Sequence, residues 1–142
     1  MRIILIVLFF CVSCSTIDSG FLVKEANTSL AGVRAAIIAI SGEPREISQN
    51  KREYTSQYFA RKKGQKLDSN TTRDRLYAQF VILGDSRPYD IRVTVYLERK
   101  YKTGFELEGE DVVMTKQIAK ELREKLNQGQ DGRDMIDEFR PF

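Results

Sequence analysis

Apolar and polar positions divide this chain into stretches of different period. Residues 3–10 are an unbroken apolar run. Residues 26–41 carry Leu30, Val33, Ile37 and Ile40 at helical spacing, with Ala26 and Ala36 at the margins of the stripe. They predict a first helix, capped by Asn27 or Thr28 and ended by Gly42 and Pro44. Residues 53–61 are rich in Tyr, Phe and Thr and predict a strand. Strict alternation puts Tyr54, Ser56, Tyr58 and Ala60 on one face and Thr55, Gln57 and Phe59 on the other. Residues 47–49 either extend this strand through a bulge near Asn50 or form a short strand of their own, with Asn50 and Lys51 as the turn.

A polar connection, 61–73, leads to the second strand, 75–83. There Leu76, Ala78, Phe80 and Ile82 oppose Tyr77, Gln79, Val81 and Leu83. Residues 84–88 are a turn. The third strand, 89–99, has the cleanest alternation: Tyr89, Ile91, Val93, Val95 and Leu97 against Asp90, Arg92, Thr94, Tyr96 and Glu98. One buried and one wet face fit an antiparallel sheet covered on one side. After a connection over 100–110, residues 111–127 predict a second helix with Met114, Ile118, Leu122 and Leu126 as its stripe. Glu108, Glu110 and Asp111 precede it and Arg123 and Lys125 lie near its end, matching the helix dipole. Gly129 is expected to stop it. The tail, with Met135, Ile136, Phe139 and Phe142, is expected to form a short helical turn or to be disordered.

These faces must bury one another. The expected fold is α+β: a two-layer sandwich in α-β-β-β-α order, with a three-stranded antiparallel sheet and two helices on one face. At about 25 cal/mol per Å² of buried apolar area, a core of this size needs no disulfide or metal. The chain is long enough for one domain and too short for two.

The apolar run after Met1 and Arg2 has the layout of an export signal, and it is shorter than the roughly 20 residues that span a bilayer. It ends in Cys11-Val12-Ser13-Cys14. This segment resembles the lipobox of bacterial lipoproteins: a Leu-like residue, a small or branched one, Gly, Ala or Ser, then Cys. Three positions fit, and Cys11 stands where Leu is usual. The resemblance implies cleavage before Cys14 and a diacylglycerol on its sulfur. It also implies, from Ser15 in place of Asp, residence at the outer membrane facing the periplasm. The expected organisation is a signal peptide over 1–13, a lipid anchor and tether over 14–25, the domain over 26–128 and a polar tail over 129–142. Cys11 and Cys14 are the only cysteines. A mature chain with Cys14 alkylated has no thiol to oxidise in that compartment.

Composition removes several function classes from expectation. The net charge of +3 falls to +2 without Arg2, which is no field for nucleic acid. There is no His, so the commonest metal ligand and general base are missing. No zinc spacing, phosphate loop or nucleophile elbow occurs. No metal, cofactor or enzymatic activity is expected.

Three features are candidates for contact. The basic cluster Arg61, Lys62, Lys63 and Lys66, with Arg73 and Arg75 beyond, suits an anionic surface, although Asp68 and Asp74 dilute it. The open sheet face, with Tyr77, Gln79, Arg92, Thr94 and Tyr96, suits a protein partner, because Tyr and Arg are frequent anchors. Glu106, Glu108, Glu110 and Asp111 cluster without calcium-loop spacing and read as a helix-start feature. The function expected from these is a non-enzymatic envelope lipoprotein, held by its lipid, that binds an envelope protein or assists assembly. The alternative is a carrier of lipid or a small apolar ligand in the groove between helices and sheet.

Overall fold

The structure, a computed structural model, describes residues 19–62, 67 and 72–137, and only the backbone over 130–137. The cysteine pair, Lys63, Lys66, Phe139 and Phe142 lie outside the described residues. Among these residues no helix is long and apolar enough to cross a membrane.

The centre of the fold is a hairpin of β4 (Asp74–Leu83) and β5 (Tyr89–Tyr101). Phe80 pairs with Val93 and Tyr77 with Tyr96, so the alternation read along each strand lands in register across the pair. Leu76, Ala78, Phe80 and Ile82 and, on β5, Ile91, Val93 and Val95 are all buried on one face. Helix α1 (Leu30–Ser41) and helix α2 (Val112–Asp137) cover that face. Val33, Ala36 and Ile37 of α1 and Ala119, Leu122 and Leu126 of α2 join the strand residues in one core cluster. Thus the fold is α+β with an antiparallel sheet and two helices on one side.

The sheet has six strands rather than three. β3 (Glu53–Thr55) pairs with β4, and β2 (Glu46–Ile47) pairs with β3. β2 is a separate short strand, and Lys51 takes a left-handed conformation in the turn after it (φ 53°). β1 (Phe21–Ala26) lies where a tether was expected, with Phe21 opposite Val93 and Val23 opposite Ile91. Val23 and Ala26 add to the core, which a spacer would leave short. β6 (Gly104–Glu110) lies where a connection was expected. Its glutamates and glycines have poor strand propensity, but β5 runs on to Tyr101 and the Thr103-Gly104 turn folds the chain straight back along it.

β1 and β6 share one edge of β5. β1 takes the stretch from Tyr89 to Val93 and β6 the stretch from Tyr96 to Tyr101. Val95 falls in the gap between them. Its amide donates to the Thr115 hydroxyl at 2.9 Å, and its carbonyl accepts from the Asp111 amide at 2.8 Å. The start of α2 therefore completes the ladder, as a buried backbone pair requires.

The helix boundaries also differ from expectation. Ala26 belongs to β1, and the cap of α1 is Ser29, whose hydroxyl accepts the Gly32 amide at 3.1 Å; neither Asn27 nor Thr28 serves. Gly42 ends the helix as expected, at φ 75°. Gly129 does not end α2, which continues to Asp137. An exposed glycine inside a helix costs about 1 kcal/mol relative to Ala, less than a long helix can carry.

Candidate functional site

The face of the sheet away from the helices carries a layer of aromatic and arginine side chains. Its assembly starts with an irregularity after β3. Ser56 donates its amide to the Ala78 carbonyl, and Phe59 next pairs with Leu76. Three steps on one strand thus face two on the other, which is a bulge. The Ser56 hydroxyl accepts the Ala78 amide at 2.9 Å and takes the place of a ladder carbonyl. The consequence is a change of face. Tyr54 and Ser56 point to the core, as does Phe59, and Tyr58 turns outward.

There Tyr58 meets Tyr77 edge-on with centroids 5.9 Å apart, and Tyr77 meets Tyr96 at 5.3 Å. The three tyrosines form a row across the sheet. Arg45 lies 4.2 Å from the Tyr58 centroid and 5.4 Å from that of Tyr77. Arg75 is sandwiched between Tyr58 at 3.7 Å and Phe105 at 3.9 Å. These are cation–π distances. Arg75 also pairs with Glu98 at 2.6 Å. The Nε of Arg45 is buried without a hydrogen-bond partner among the described residues, and Glu46 stands 3.7 Å away. Burial raises the Tyr77 pKa, and the Glu98 carboxylate, Tyr96 and Tyr58 raise it further, while Arg45 opposes them. The hydroxyl of Tyr77 is thus held as a neutral donor and acceptor.

Register unites the residues singled out from the sequence. Tyr77 is opposite Tyr96, Gln79 opposite Thr94, and Val81 opposite Arg92. Thr94, however, is only 4% exposed. Gly20 lies on it: a β-carbon at Gly20 would come within 2.4 Å of the Thr94 hydroxyl. Thr94 is a packing residue and offers no contact surface. Arg45, Tyr58 and Phe105 were missed. Tyr58 was hidden by the bulge, and Phe105 belongs to a strand that its own composition does not predict.

The described residues of the basic cluster have different surroundings. Arg61 pairs with the buried Asp111 at 2.5 Å. Asp111 also accepts the Met114 amide at 3.1 Å, so it caps α2 and holds the chain after β3 against the helix start. Lys62 is exposed. Lys63 and Lys66 lie outside the described residues. Arg75 belongs to the aromatic layer, and Arg99 bridges Asp74 and Glu108.

Lys62 stands at the rim of a half-open cavity of about 260 Å³ between the helices and the sheet. Ile40, Phe59, Ala78, Met114 and Ile118 give it an apolar lining, and Ser41, Gln117 and Glu121 edge it. It is slightly smaller than the roughly 300–1,000 Å³ of pockets that hold small ligands. The core beside it is filled, with Phe80, Ile37 and Leu122 fully buried.

The acidic group is spent on local structure. Glu108 pairs with Arg99 at 2.6 Å, Glu106 accepts from the Thr103 hydroxyl at 3.1 Å, and Glu110 accepts from Thr115 and from the Gly20 amide. Among the described residues no three His, Cys, Asp or Glu side chains gather as a metal site would require. No protein-family model, curated protein or solved structure matches this chain.

Proposed function

We propose that this chain is a non-enzymatic lipoprotein of the bacterial envelope, lipidated at Cys14 and held at the outer membrane. It binds a protein partner with the outer face of its sheet. The observation that carries this reading is the half-buried row Tyr58–Tyr77–Tyr96, uncovered among the described residues, with Arg45 and Arg75 stacked on it. Half-buried Tyr and Arg on a rigid sheet lose little entropy on contact and are the residue types that dominate binding energy. The guanidinium groups of Arg45 and Arg75, each about a quarter exposed, favour a partner that brings a carboxylate or carbonyl. A photo-crosslinking residue at Gln79 or Tyr96, in cells, should give one discrete adduct. The same residue at Lys120 or Asn127 on α2 should give none. Absence of an adduct from the sheet positions, or the same adducts from both faces, overturns the reading.

The cavity supports a second reading, a carrier of a short apolar chain with an anionic head near Lys62. Decanoate binding that is lost in Ala60→Trp, with unchanged melting, would favour it. No binding of decanoate to the unaltered protein would dismiss it.

A further inference from the structure

We propose that the N-terminal end of α2, led by Val112 and Val113, lies on the membrane surface that holds the anchor. This rests on lipidation of Cys14 as proposed above. The tether leaves the domain at a fixed point. The Gly20 amide donates to the Glu110 carboxylate at 3.2 Å, and Gly20 is packed so closely on Thr94 and the Val93 carbonyl that no side chain fits there. Glu110 precedes Asp111, the cap of α2, so the exit and the helix start adjoin on the β1/β6 edge of the sheet, beside the middle of β5.

From Cys14 to Gly20 the chain takes six steps. Fully extended, they reach about 20 Å. A domain of this length is roughly 35 Å across. The sheet edge at Gly20 is therefore the part of the domain that such a tether keeps nearest the lipid.

That edge also carries exposed apolar side chains. Six large hydrophobic side chains are exposed among the described residues, and Leu107, Val112 and Val113 of β6 and α2 are three of them. Val113 is 76% exposed, the most of the six. Helical spacing places Lys116 and Lys120 on the same side as Val113, and both are exposed. Of the neighbouring carboxylates, Glu108 is paired with Arg99, Glu110 is half-buried against the Thr115 hydroxyl and the Gly20 amide, and Glu106 keeps its charge beside the Thr103 hydroxyl. An apolar tip followed by lysines is the pattern of a shallow interfacial contact. Such a contact orients a domain that the lipid already holds.

The test uses the lipidated protein, its N-terminal peptide weighed to verify the diacylglycerol, in vesicles of phosphatidylethanolamine and phosphatidylglycerol. A nitroxide is placed in turn at Val113→Cys, Asn127→Cys and Ser86→Cys. At Val113→Cys the label should collide severalfold more with dissolved oxygen than with an aqueous nickel reagent, relative to the other two sites. Equal water exposure at all three sites overturns the inference alone, as does protection at Ser86→Cys or Asn127→Cys instead. An N-terminal peptide without lipid overturns the anchor reading and this inference together.

Discussion

The hydroxyl of Thr115, on the first turn of α2, accepts the backbone amide of Val95 in the middle of β5. The same hydroxyl donates to Glu110 at 3.2 Å. It joins helix, central strand and chain exit in the gap along β5 that neither edge strand reaches.

Thr115→Val keeps the shape and removes the acceptor. The Val95 amide is then buried without a partner, at a cost of about 1–3 kcal/mol. Urea unfolding should show this loss with an unchanged slope, and Thr115→Ser should recover most of it.

Gly20→Ala should destabilise the domain by about 1–3 kcal/mol, because φ is +98° and the new β-carbon meets the Val93 carbonyl at 2.8 Å. Hydrogen exchange should quicken first in β1. Adding Thr94→Ala should relieve only part of the loss, since the carbonyl remains in place.

Asp111 has two tasks that substitution can separate. Asp111→Ala removes the cap and the pair with Arg61, and should cost about 1–2 kcal/mol in thermal or urea unfolding. Asp111→Asn keeps the cap and should cost less. Arg61 is 65% exposed in its side chain, so Arg61→Ala should cost under about 1 kcal/mol.

Tyr77 sets an alkaline limit. Its folded pKa is raised, with burial as the largest cause. The folded state thus holds the proton more tightly than the unfolded chain, whose tyrosine titrates near 10. This contribution is complete below about pH 10 and is lost as pH rises through the folded value. The melting temperature should fall more steeply above pH 10 than in Tyr77→Phe, and tyrosinate absorbance should appear late in the titration.

The elements with their own period were legible. β4 and β5 alternate over their length, and the stripes of α1 and α2 mark the faces they bury. What stayed hidden depends on partners distant in sequence. β6 is a strand because β5 overhangs the rest of the sheet. Phe21 and Val23 form a strand because Val93 and Ile91 stand opposite. Tyr58 faces outward because Ser56 can stand in for a carbonyl, and alternation alone reads through that substitution. Of the candidate face, Tyr77, Tyr96 and Gln79 followed from period two, and Arg45 could not, since it lies outside any of the predicted elements.

The divided edge of β5 bears on how another molecule can engage this sheet. One route open to many sheets is β-strand addition, in which an extended peptide pairs with a bare edge. Here β1 and β6 divide one edge between them, both are irregular against β5, and β6 presents Glu106 and Glu108. At the opposite end stands β2, two residues long. Short, bulged and charged edges are poor templates for an incoming strand. An incoming molecule is thereby left the broad faces, and the backbone of the sheet is guarded from templated self-assembly.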